Sequence, residues 1–132
     1  VFQMLDGKQR AMALADKSRE EEGNKTVALT GKSKGLEGIP MTELSSDQKG
    51  EVRKVLADLL LPFRKEDTDE ALKLIEKHGF DNLSLVFYKD EDIGKDGVWD
   101  NWKLEGPTMV WYFRGNPHVH CWAHVRDNVE ET

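Results

Sequence analysis

LEGPTMVWYFRGNPHVHCWAHV, residues 104–125, decides how this chain folds. Gly106-Pro107 and Gly115-Asn116-Pro117 break it into two apolar runs, each too short and too rich in β-branched and aromatic residues to be a helix. The connection between the runs has no room for a crossover helix, so the two strands must be sequential and antiparallel. Working outward, LSLVFY (residues 83–88) alternates in the same way. Leu83, Leu85 and Phe87 share one face, and Ser84, Val86 and Tyr88 the other. The spacing predicts strands over residues 83–88, 98–105, 108–114 and 118–125, an antiparallel β-meander of three to four strands within residues 82–125.

The N-terminal half has helical period. In LDGKQRAMALA, Asp6 is placed to cap the first turn, with Gln9 at the capping-box position. LSSDQKGEVRKVLADLLLPF repeats the spacing with Ser45 and Gln48, and Val52, Val55, Leu56, Leu59 and Leu60 recur at helical intervals until Pro62. A third helix is expected after Thr68 or Asp67, ending at His78 before Gly79. Residues 18–38, dense in Lys, Glu and Gly, predict an irregular solvated connection with a short extended piece at residues 27–29. The expectation is a single α+β domain over residues 1–132, its N-terminal helices packed on a C-terminal antiparallel sheet.

With 132 residues, the chain can bury a core without staples. Its net charge of -6 and the lack of a basic stripe argue against nucleic acid as a partner. No apolar run reaches transmembrane length, and no signal peptide is visible, so a soluble protein, cytoplasmic or exported, is expected. One cysteine excludes an intrachain disulfide. All four tryptophans lie in the C-terminal third, where they fill a core or line a surface. The acidic loop KDEDIGKDG is not a calcium hand. Starting from Asp90, the sixth position is Lys95 and the twelfth Asn101, where glycine and glutamate are needed. No phosphate loop, serine elbow or zinc-protease motif is present, so no catalytic residue is assigned.

Three of the four histidines lie in PHVHCWAHV. On a regular strand His118, His120, Trp122 and His124 point one way, while Val119, Cys121, Ala123 and Val125 point the other. The second row predicts Cys121 in the core, as a small hydrophobe. The first places His118 and His120 about 7 Å apart at Cβ, a half-site for zinc, copper or iron. A third ligand would come from His124, Glu105 or the preceding strand. Register is open from sequence. If Tyr112 and Arg114 join the histidine face, they form with Trp122 a polar aromatic pocket for an anion or a small molecule. If Trp111 and Phe113 join it, the lining is aromatic. The alternative is a non-enzymatic interaction or structural domain with an aromatic-rich sheet and no metal. A homo-oligomer is compatible with either, though nothing in the chain specifies one.

The same residues carry a resemblance. LEGPTMVWYFRGNPHVHCWAHV, with LDGKQR and GIPMTELSSDQK (residues 38–49), is similar to the large, mostly bacterial family known as domain of unknown function 3500. That resemblance implies no established reaction or cofactor. It implies a late Gly-Pro strand and an HxH pair, here His118 and His120, as a candidate site. The chain is shorter than typical members, and Cys121-Trp122-Ala123-His124 replaces a more polar continuation.

Overall fold

The structure, a computed structural model, describes residues 1–90 and 92–129. Both capping boxes form. Asp6 starts α1 (Gly7–Ala13) and Ser45 starts α2 (Ser46–Leu60), each accepting from the backbone of the glutamine three residues on. The two glutamines then meet. Gln9 Nε2 donates to Gln48 Oε1, and Gln48 Nε2 donates to Gln9 Oε1, each at 2.9 Å. The repeated spacing therefore joins two helix starts side by side. α3 (Lys65–Lys77) begins earlier than the sequence predicts. Arg64 is its N-cap residue without a side-chain cap bond, and Thr68 lies inside the helix, donating to the Leu60 carbonyl at 3.0 Å. It ends as expected at His78, followed by Gly79 at φ 90°. The His78 ring faces Asp127 at 3.0 Å.

The expected meander is present as β3 (Ser84–Tyr88), β4 (Asn101–Glu105), β5 (Met109–Arg114) and β6 (His120–Val125). All neighbours in that run are antiparallel. The sheet is larger and mixed, with six strands among the described residues. β1 (Leu14–Ala15) pairs with β3 in parallel, and β2 (Ile39–Pro40) pairs with it antiparallel. Two-residue strands carry no readable alternation, so only a long-range partner reveals them. β4 already occupies one edge of β3, and both short strands lie along the other. Residues 16–38 thus leave β3 at β1 and return to it at β2. Between these points they form a strap across the sheet.

The two sheet faces are covered differently. Leu85, Leu104, Met109 and Trp111 pack with Val52, Leu56, Leu60 and Ile75 from α2 and α3 in the main core. Val86, Tyr88 and Tyr112 face the strap and form a small second core with Ala15, Val27 and Trp122. The strap is thus a cover as well as a connection. Thr26 in its short 3-10 turn (Gly23–Val27) is buried, and residues 27–29 add no strand.

Candidate functional site

Register settles which residues join the histidine face. Arg114 pairs with His120, Tyr112 with Trp122, and Val110 with His124. The side chains at these alternating positions share a face. One row under the strap runs Tyr88, Asn101, Arg114, His120; the next runs Val86, Lys103, Tyr112, Trp122; the third runs Ser84, Glu105, Val110, His124. Trp111 and Phe113 lie on the helix side.

His118 lies in the bend before β6, not within the strand. It still converges on its neighbour. The two Nε2 atoms are 2.9 Å apart, with the rings edge to face at 4.6 Å between centroids. One nitrogen donates and the other accepts, so the contact requires a proton on one and a lone pair on the other. Two imidazole nitrogens, each about 2.0–2.1 Å from one zinc ion, sit about 3 Å apart, so the spacing also fits adjacent ligands of one ion. Among the described residues, no group of three or more histidine, cysteine, aspartate and glutamate side chains could hold a metal.

The proposed third ligands are elsewhere. His124 has both ring nitrogens engaged. Nδ1 donates to the Val27 carbonyl at 3.0 Å, and Nε2 accepts from Arg126 Nε at 2.9 Å. Glu105 sits two strands away in the His124 row, buried against Lys103. The carboxylate nearest the histidine pair belongs to Glu21 in the strap. One oxygen forms an ion pair with Arg114 Nε at 2.6 Å, off the line of a hydrogen bond, and the other is 3.9 Å from His120 Nδ1. His120 also stands edge-on to Trp122 at 5.3 Å, with the Arg114 guanidinium 6.0 Å from that indole ring.

Tyr112 is brought to this face but is closed off. It is buried, and its hydroxyl donates to the Arg19 carbonyl at 3.3 Å. Burial, then the Glu21 and Asp90 carboxylates, raise its phenol above the ordinary value. The Tyr112, Arg114 and Trp122 pocket expected from sequence is therefore filled by the strap, with Glu21 in the place an incoming anion would take.

Sequence reasoning missed the charged cluster deeper under the strap. Lys103 Nζ lies 2.9 Å from Glu105 Oε1 and 3.4 Å from Glu37 Oε2. The first two side chains are only 7% and 5% exposed. Tyr88 donates to Glu37 at 3.0 Å, and burial first, then Glu37, push its phenol far above the ordinary value. A signal was readable. Lys103 and Glu105 are opposite charges two residues apart in a strand between buried neighbours, and such residues share a face.

Cys121 is exposed, which corrects its expected core position. Its row does face the helices, but β6 is the edge strand, and only its far end, at Ala123 and Val125, lies against residues of α2 and α3. Burial of the thiol itself still raises it above the ordinary value. The helix side of the sheet is likewise incompletely roofed toward β4 and β5. There Trp102 and Phe113 stack at 5.7 Å and 15°, both half-buried. Beside them an apolar groove of about 160 Å³ runs between Val55 and Leu59 of α2 and Phe87, Trp102 and Leu104 of the sheet.

Fold and surfaces together define an α+β domain whose strap closes over Tyr88, Lys103 and Tyr112 with charged and aromatic pairs, and whose other face carries an open aromatic groove. Comparison with protein-family profiles, curated proteins and solved structures finds no match. Among the described residues no helix is long and apolar enough to cross a membrane.

Proposed function

We propose that this is a non-enzymatic interaction domain working through its aromatic-rich sheet, with an apolar segment of a partner polypeptide as the occupant. The observation that carries the reading is the groove between α2 and the Phe87–Trp102–Leu104 surface, walled by apolar side chains and continuous with the Trp102–Phe113 stack. Half-buried stacked aromatics beside an apolar groove have the character of interaction hot spots, where large rigid rings contribute most per residue. The titratable groups under the strap support the same reading, because they are already paired with one another, Lys103 with Glu105 and Glu37, and Arg114 with Glu21.

The test is photo-crosslinking in cells with benzoylphenylalanine in place of Phe113, against a control in place of Glu66 on exposed α3. A discrete adduct at position 113 that Trp102→Ser removes is expected, its mass separating a foreign partner from a second copy of the chain. Equal crosslinking at both positions, or none at 113, refutes the reading.

A second reading rests on the 2.9 Å approach of the two Nε2 atoms. His118 and His120 would bind zinc, copper or iron as a two-imidazole half-site, with water or a partner's group completing the shell. Metal analysis and calorimetry on untagged protein test it. Stoichiometric uptake lost in the H118Q/H120Q variant supports it; uptake unchanged by that variant, or none at all, removes it.

A further inference from the structure

Among the described residues, the last strand of the sheet has an open edge. Arg126 donates its backbone N–H to Thr108 at 2.9 Å, which makes that pair a bonded one. The register steps back without interruption from Met109–Val125 to Arg114–His120. Bonded pairs alternate along an antiparallel ladder. His124, Trp122 and His120 therefore bond inward to β5, while the amides and carbonyls of Val125, Ala123 and Cys121 point away from the sheet. Exposed edges are ordinarily blunted by lysine, proline or a bulge. β6 has none of these, and Cys121 and Ala123 on it are exposed.

Two grooves of opposite character flank this edge and share Ala123. On the strap side, an open groove of about 530 Å³ is lined by Lys25, Val27, Leu29, His124 and Arg126 among others, with no carboxylate among the described residues. That is a local reversal in a chain with 25 acidic and 19 basic side chains. On the helix side, a second groove is formed by Leu60, Phe63, Ala71, Trp111 and Val125, and the one carboxylate there, Asp67, is paired with Arg64. Phe63 is 56% exposed over it. A strand laid along β6 would send alternate side chains into these two grooves.

We propose that β6 accepts an extended peptide of alternating acidic and apolar residues as an added strand. Main-chain bonds form with Cys121, Ala123 and Val125. The acidic row lies over Lys25, and the apolar row over Phe63, Leu60 and Val125. Strand addition obtains affinity from the main chain and specificity from such alternate pockets. This surface is separate from the Trp102 groove, and neither proposal depends on the other.

Titration of 15N-labelled protein with the capped octapeptide acetyl-(Glu-Val)4-amide tests it. Amide shifts centred on Cys121, Ala123, Val125 and Lys25 are expected, with slowed exchange at Cys121 and Ala123, and no change in binding on Trp102→Ser. The capped (Lys-Val)4 peptide should bind roughly fivefold or more weakly, and Lys25→Glu should narrow or reverse that preference. Ala123→Pro deletes an outward N–H without removing a bond to β5, and should abolish binding. If that variant does not fold, the Lys25→Glu and charge-reversed peptide comparison decides. Equal binding of the two peptides, shifts confined to the Trp102 groove, or no response at millimolar peptide overturns the proposal. So does self-association through β6 that the peptide cannot displace.

Discussion

Replacing Lys103 with methionine keeps most of the side chain's length and removes only its charge. Glu105, 2.9 Å away and 5% exposed, would then be a buried carboxylate without its cation. Its remaining partner, Thr30 Oγ1 at 3.4 Å, is too long a bond to compensate. Breaking a buried pair from one side costs about 3–5 kcal/mol. Glu37 is 43% exposed and can turn to water, so its loss adds less than about 1 kcal/mol. A total of about 3–6 kcal/mol follows. With an unfolding entropy of about 2.1 cal/mol/K per residue, 132 residues give about 277 cal/mol/K, and Tm falls by about 11–22 °C. Removing both charges reverses the argument. Lys103→Met with Glu105→Leu should lie within about 1 kcal/mol of the parent, because nothing charged remains desolvated. Urea unfolding of the parent, both single variants and the double variant, at matched m-values, measures the cycle. A Lys103→Met loss below about 1 kcal/mol, or a double variant as unstable as the single, refutes the reasoning.

Gly38→Ala should be the most damaging small substitution. Its Cβ would stand 2.2 Å from the Leu85 carbonyl oxygen at φ +96°, and a loss of about 3 kcal/mol or more is expected in the same urea assay. Gln9→Ala and Gln48→Ala should be non-additive by about 1 kcal/mol, because either one alone removes both amide bonds that the two side chains share; additive losses would show the two helix starts to be independent. Cys121 reacts through its thiolate, and burial raises its thiol, so less thiolate is present at pH 7.5 than in an ordinary cysteine. Iodoacetamide should modify it more slowly than a free thiol, with the rate–pH profile displaced upward. A faster reaction at pH 7.5 contradicts this.

Much of the architecture was legible because it is local. The capping residues Asp6 and Ser45, the helical spacing from Val52 to Leu60, and the alternation of residues 83–88 each carry their structure in neighbouring side chains. β1 and β2 were not legible, since Leu14 finds Phe87 and Ile39 finds Leu85 only through the tertiary fold. Thr68 resembled a cap because its hydroxyl can accept from a first turn, yet the helix begins at Lys65 and the hydroxyl serves the end of α2. For the site, the pleat correctly placed His120 with Trp122, whereas register was needed to add Tyr112 and Arg114. The residues that close the face, Glu21 and Glu37, come from a segment without periodicity, and no pattern in residues 18–38 marks them.

The strap leaves β3 and returns to it, so its opening and the unfolding of the sheet are separable events. Lifting residues 16–38 breaks ion pairs and hydrogen bonds at Glu21, Thr30 and Glu37 but none of the ladder bonds joining β3 through β6. Amide exchange should accordingly have two tiers, with the strap exchanging through a low-energy excursion and the central strands only through global unfolding. Salt, which screens exposed charges more than buried ones, should accelerate the first tier more than the second. The pairs beneath the strap should therefore be intermittently accessible, and more often so at higher ionic strength.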